Sequence, residues 1–223
     1  MLGIRHTSQE FRNFESMYKD ILTNFKPTSK DEESVLKQIQ LDVDRTFRSF
    51  DLDFLKADVH SGNNKLYNLL KVYALILDPI VGYTQGMNFI AALILLHVPN
   101  EVLACQIFTK VLQKDNWARL FISSTPKLFD MSQKITDRVQ VEIPLLYQHL
   151  SDNEICLEIL LSSPLMTLFA NTLSFVESTQ ILNMFILDGE QFIIDTILNI
   201  YKNMSSKIIA KKDQFEIQQY MSK

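Results

Sequence analysis

Cysteine, glycine, proline and tryptophan are all scarce in these 223 residues: two cysteines, five glycines, six prolines and one tryptophan. Two thiols without a CxxC spacing, Cys105 and Cys156, build neither a disulfide framework nor, alone, a four-ligand zinc site. Both sit in apolar helical patterns and are expected to be free and buried. So little glycine and proline excludes collagen-like and low-complexity chains, and a hydrophobic share of 47 % against 22 % charged excludes a disordered one. A basic excess is lacking too. With a formal net charge of −4 there is no overall positive field for a phosphate backbone, so nucleic acid is not an expected partner. Long apolar runs are missing as well: the strongest, Met87 to Val98, would rise only ~18 Å as a helix against a hydrocarbon layer of ~30 Å. It reads as a core helix, with Pro99 as its stop. The polar stretch Met1 to Glu10 has no apolar segment before a small-residue cleavage site, which makes the cytoplasm the expected compartment.

What is present is helical periodicity. Apolar spacings of three and four recur from end to end while strand-like alternation is almost absent, so the expected fold class is all-α. Leu66, Leu69, Leu70, Tyr73 and Leu77 give the clearest case, preceded by Ser61-Gly62-Asn63 and ended by Asp78-Pro79. Further helices are expected at 9–25, 33–45, 86–98, 100–114, 117–123, 131–150, 152–162, 164–174, 176–186, 189–203 and 206–221. Between Thr46 and Gly62 the pattern lapses, and a stretch of that length without periodicity reads as a working loop. No repeat and no Ser/Gly linker divides the chain. The expectation is one helical domain over 1–223, open to division into two packed subdomains, with 204–223 as a peripheral C-terminal helix or tail.

Two segments carry polar residues in suggestive positions. In Asp42-Val43-Asp44-Arg45-Thr46-Phe47, helical spacing makes Asp42 and Arg45 surface neighbours. An exposed i,i+3 ion pair of this kind is ordinarily worth a few tenths of a kcal/mol, roughly, and need mean nothing more. Its position argues otherwise: Arg45 stands where the helix ends, so its guanidinium can project while Asp42 fixes its direction. The second segment, Gly82-Tyr83-Thr84-Gln85-Gly86-Met87-Asn88, joins two strong helices. Gly82 and Gly86 admit backbone angles that other residues resist, and Gln85 falls just before a helix N-terminus that tolerates a nearby phosphate. Alternatively Gln85 merely caps that helix and Gly86 permits close packing.

Together, DxxRTF and, forty residues on from Arg45 to Gln85, GYxQGMN resemble the TBC domain, the GTPase-activating module for Rab small GTPases. The likeness continues through Tyr18 with Leu22, the Leu66–Tyr73 helix, Ile143-Pro144-Leu145, His149-Leu150, Leu168-Phe169 and Asp188-Gly189, and is clearest over 15–203. The resemblance implies that Arg45 and Gln85 enter a GTPase active site as an arginine finger and a glutamine finger, with Asp42, Tyr83, Gly86 and Asn88 supporting or positioning them. It implies a Rab-type partner in its GTP form, with GTP and Mg2+ carried by that partner and no cofactor or metal on this chain. The partner would do the hydrolysis, and no independent turnover by this chain is expected. Vesicle traffic, in the cytoplasm or at the periphery of endomembranes, is the setting the family suggests.

The sequence also departs from the family pattern. An arginine followed by Leu/Val/Ile-Trp is missing upstream of Tyr18, so the N-terminal motif is expected to be reduced or truncated. Arg48 replaces a frequent proline, Pro164-Leu165-Met166 stands where Trp-Phe is common, and Gln180-Ile181-Leu182-Asn183 lies where Arg-x-Trp-Asp is usual. These departures favour the competing reading, a TBC-like scaffold that binds a GTPase or a larger membrane-traffic or cytoskeletal assembly without catalysing anything. Other chemistries find no support. His6, His60, His97 and His149 lack metal-ligand spacing, Asp51, Asp53 and Asp58 read as a solvated face, and neither GxxxxGK[ST] nor GxSxG occurs.

Overall fold

The computed structural model describes residues 8–47 and 64–222, and among them are helices and turns but no strand. The expected all-α class is what is found. Asp51, Asp53, Asp58, His60 and nearly all of the expected working loop lie outside the described residues, which retain only Thr46 and Phe47 of it.

Chain contacts divide the molecule into two helical units, Met1–Ser123 and Ser124–Lys223. The first contains α1 (Gln9–Asn24), α2 (Lys30–Arg45), α3 (Lys65–Val72), α4 (Met87–His97) and α5 (Glu101–Gln113). Its helices begin where short polar side chains can satisfy the free N–H groups of a first turn. Ser8 accepts from Phe11 N–H at 3.1 Å, Ser29 from Glu32 N–H at 3.2 Å, and Asn64 and Asn100 each cap at 3.0 Å. Ser29 thereby starts α2 three residues earlier than the apolar pattern alone indicates.

Helix α3 is the centre of this unit, packing against α1, α2, α4 and α5. Leu66, Leu69, Leu70 and Tyr73 are fully or almost fully buried, as their spacing demands. After Val72 the helix widens into one π-helical turn, Tyr73–Leu77, before ending at Asp78. Helix α4 is apolar all round, and Ile90 through Leu95 are buried without a break, so it lies inside the unit. Beyond α5 a 3-10 segment, Lys114–Leu120, replaces the helix expected at 117–123. Asp115 and Asn116 take positive φ there, which swings Trp117 into the core.

The second unit contains α6 (Pro126–Glu142), α7 (Pro144–Asp152), α8 (Leu157–Thr167), α9 (Phe175–Asp188), α10 (Glu190–Ile209) and α11 (Gln214–Met221). Helices α7, α8 and α10 pack against α6, while α9 and α11 pack against α10. Several expected boundaries are corrected here. The helix expected at 131–150 is two helices, because Pro144 has no N–H to continue a helix but suits a first helical position. Pro164 lies inside α8 instead of starting a helix, and Leu168 and Phe169, both at positive φ, turn 168–174 away from helix. The helices expected at 189–203 and 206–221 run as one through Ile209, since Ile194, Ile197, Leu198, Tyr201 and Ile208 keep the apolar face going past Ser205 and Ser206. Asp213 then caps α11. Cys105 is buried as expected, but Cys156 is exposed: it is the residue before α8, with Sγ 3.3 Å from Glu158 Oε2.

Candidate functional site

The two polar segments singled out above meet within the first unit. Arg45 is the last residue of α2, and Asp42 lies one turn behind it. Contrary to the expected surface placement, Asp42 is completely buried, while about half of the Arg45 side chain reaches solvent. Burial changes what the pair is worth, because a carboxylate removed from water must have each oxygen partnered. Oδ1 faces the Arg45 guanidinium and, among the described residues, has no hydrogen-bonding partner besides that ion pair. Oδ2 accepts from the Tyr83 hydroxyl at 2.7 Å and from Gln38 Nε2 at 3.2 Å. Burial, and then the bond to Asp42, hold the Tyr83 phenol well above its ordinary pKa. Tyr83 therefore acts as a donor to the carboxylate throughout the physiological range.

Arg45 is thus oriented through the second segment and not by its own helix alone. One guanidinium nitrogen is committed to Asp42, and among the described residues the other donors of this planar group make no ion pair.

The turn that carries Gln85 is built around its glycines. Gly82 has φ +64°, and Gly86 has φ +114° with ψ −39°, a conformation closed to residues with a Cβ. Asp78 organises the entry: its carbonyl accepts from Gly82 N–H at 2.9 Å and its carboxylate from Val81 N–H at 3.3 Å. Thr84 donates to the Phe121 carbonyl at 2.9 Å, tying the turn to the end of the 3-10 segment. Gly86, not Gln85, is the residue before α4, and no side chain caps that helix in the usual way. Gln85 is exposed and makes no side-chain hydrogen bond to the described residues. An amide with both donor and acceptor unspent, held on a fixed turn, is a group available to something outside the chain.

Below the two exposed side chains the segments are fastened again. Thr46, the residue after α2, is buried and accepts from Asn88 Nδ2 at 2.8 Å. Asn88 Oδ1 in turn accepts from Gly86 N–H at 2.9 Å. Phe47 turns back at φ +49° and packs edge-on against Phe89, the ring centroids 5.4 Å apart. Arg45, Gln85, Asp42, Tyr83, Gly86 and Asn88 therefore belong to one connected region. The sequence reading assigned no role to Gln38 or Thr46, although each stands four residues from Asp42, one on the same helix and one just past its end, the spacing at which side chains and carbonyls of a helix meet.

Among the described residues no cluster of three or more His, Cys, Asp or Glu is arranged to hold a metal ion, and no helix is long and apolar enough to cross a membrane.

The family model for the Rab-GTPase-TBC domain matches residues 1–209. The chain is 30 % identical over 162 residues to the ecotropic viral integration site 5 ortholog of Drosophila melanogaster, covering 73 % of this chain and 20 % of that protein. It is 31 % identical over 157 residues to the Rab GTPase-activating protein eat-17 of Caenorhabditis elegans, covering 70 % of this chain and 17 % of that protein. This chain accordingly spans about a fifth of the length of these relatives. Among solved structures it is similar to the Ypt/Rab-GAP domain of Gyp1p, with a TM-score of 0.79 at 15 % identity over 99 % of this chain and 78 % of that one. A flagellar RabGAP TBC domain of Chlamydomonas gives 0.73 at 18 % identity, over 95 % and 66 %. At such identities the structural likeness is one of fold. With the family model matching nearly its whole length, the chain belongs to the Rab-GTPase-TBC domain family.

Proposed function

We propose that this chain is a GTPase-activating protein for a Rab-type small GTPase, acting on the GTP-bound form with Arg45 and Gln85 supplied in trans. The observation that carries the reading is the buried Asp42 carboxylate, bound at once by Arg45 and by Tyr83, two residues before Gln85. A buried charge that serves only to steer an exposed guanidinium makes little sense as a stability device, since burying ions is costly. It makes sense where an arginine must be presented in one direction.

Hydrolysis of GTP spreads negative charge over the γ-phosphoryl oxygens and the leaving group while a water attacks in line. Arg45, through the N–H groups not turned to Asp42, would lie against those oxygens and neutralise the developing charge. Gln85 would accept a hydrogen bond from the attacking water through its amide oxygen and donate one to the γ-phosphate through its NH2, so that the water is aligned without being deprotonated by the chain. Nucleotide and Mg2+ would arrive with the GTPase, and this chain would need no cofactor of its own. A cytoplasmic site of action at endomembranes fits this reading.

Single-turnover GTP hydrolysis across a panel of Rab proteins tests it. At least one Rab is expected to respond to the native chain, with Arg45→Ala losing ~10³-fold or more of the stimulated rate and Gln85→Ala about 10²-fold. A Rab that binds native chain, Arg45→Ala and Gln85→Ala equally, with no stimulation by any of them, would make the chain a binding scaffold instead.

A further inference from the structure

The structure points to Thr46 as a positioning residue, and we propose that the Thr46–Asn88 hydrogen bond is a latch that sets the register between the arginine-bearing helix and the glutamine-bearing turn. This rests on the function proposed above and adds to it a residue that touches neither nucleotide nor partner.

The chemistry of a hydroxyl decides how the latch works. Thr46 has one O–H proton, and it is committed to the Asp42 carbonyl at 2.6 Å. That carbonyl needs a donor, because the Thr46 N–H, which would ordinarily reach it at the end of a helix, bonds to Val43 instead at 3.1 Å. With its proton spent, the Thr46 oxygen can only accept, so the group facing it must be the NH2 end of Asn88. The Asn88 oxygen is thereby turned the other way, onto Gly86 N–H.

That amide is half of the Gln85–Gly86 peptide. Because a peptide unit is planar, holding the Gly86 N–H holds the orientation of the Gln85 carbonyl and with it the base of the glutamine side chain. At the other end, the Asp42 carbonyl belongs to the residue whose carboxylate grips Arg45. The Thr46 hydroxyl thus stands between the two exposed side chains. All its partners are buried, so water does not readily replace a lost bond. A serine would keep the hydroxyl, whereas a valine would keep the shape and present a methyl group to two polar partners.

The test uses the full chain with Thr46→Val, Thr46→Ser, Asn88→Ala and the Thr46→Val/Asn88→Ala double variant, together with Arg45→Ala. Two measurements are made: hydrogen exchange at the Gly86 amide of the free chain, and the kinetics, as kcat and KM, of GTP hydrolysis by a responding Rab. Thr46→Val is expected to speed Gly86 exchange about 10-fold and to lower kcat by about 10- to 100-fold, since small misplacements of reacting groups cost that much. KM should change less than about 2-fold. Thr46→Ser should behave like the native chain in both, and the double variant should be no worse than the poorer single one, as two halves of one interaction are not additive. The latch is overturned if Gly86 exchange is unchanged in Thr46→Val, if kcat holds while KM rises, or if serine fails to rescue a folded chain. Failure of the proposed function looks different: Arg45→Ala then stimulates as well as native chain, or no Rab responds, and the exchange measurement still decides whether Thr46 holds the turn.

Discussion

The two units use charge in opposite ways. In the first, one carboxylate is buried and the bonds around it steer a half-exposed side chain: Gln38 and Tyr83 bind Asp42, and Asp42 binds Arg45. In the second, charges run in a ladder along the outside of α6 and α10. Lys127 and Lys134 share Glu190, Arg138 reaches both Glu142 and Asp195, and Lys202 closes on Glu142 at 2.6 Å. Apart from the buried Lys127, these groups are partly or largely in water. Exposed ladders hold two helices in register at small energy and survive the loss of a rung. Buried, converging bonds hold a direction, and they do not survive the loss of a member. The contrast separates a unit whose buried carboxylate orients a half-exposed arginine from a unit whose charges brace two helices.

The sharpest way to break the contrast is Arg45→Lys. Lysine keeps the charge but not the planar fork, so the stimulated rate should still fall ~10³-fold while binding to the responding Rab is kept; activity near native would show that direction was not what Asp42 supplied. Next comes Gly86→Ala, which forces a Cβ into a left-handed conformation and should cost about 1–3 kcal/mol of stability, read by denaturant unfolding. Unaltered stability would mean the turn can relax. Tyr83→Phe is expected to cost about 1 kcal/mol, because it removes one donor from a carboxylate that keeps two other partners. Arg138→Ala in the second unit should cost less than about 1 kcal/mol, an effect that shrinks further in high salt. A larger loss there than for Tyr83→Phe would erase the distinction between the units.

Acid sharpens the same comparison. Hydrogen bonds from Arg138 and then Lys202 hold the Glu142 carboxyl down to about 2, and bonds from Gln191 and Arg138 hold Asp195 below its ordinary value. Glu190 is lowered as well: burial works against it, and Lys127 and Lys134 overcome that. A carboxyl whose folded pKa lies below its unfolded one contributes stability that is complete above the unfolded value and is lost as pH falls through the folded one. Stability supplied by the ladder should therefore be constant from neutrality to about pH 5 and decline from there towards pH 2. Flat unfolding midpoints across that interval would show the rungs to be idle.

The helices were legible where an apolar rhythm coincided with a cap or a proline, as in Leu66 to Tyr73 after Asn64. They were misjudged where these signals conflicted. Ile143-Pro144 interrupts a continuous rhythm and divides it, while Ser205-Ser206 resembles punctuation but sits on an exposed face that leaves the buried rhythm intact. For the site, Asp42, Arg45, Tyr83, Gln85, Gly86 and Asn88 stood out because two short motifs marked them. Burial of Asp42 did not stand out, since an i,i+3 pair reads alike on either face of a helix. Thr46 and Gln38 escaped because their importance lies in bonds to a residue one turn away, whose burial spacing alone does not reveal.

Residue order alone determined that the chain is helical, where most helices begin, and that an arginine ends one of them while a glycine-flanked glutamine precedes another. These follow from local forces: apolar periodicity, capping oxygens, the missing N–H of proline and the missing Cβ of glycine. Only the tertiary structure decided that Asp42 lies in the interior, that Tyr83 reaches it from forty-one positions away and that Thr46 meets Asn88. Such pairings depend on which faces of α2, α3 and α4 pack together, and that is settled by burying the whole core at once rather than by any one segment.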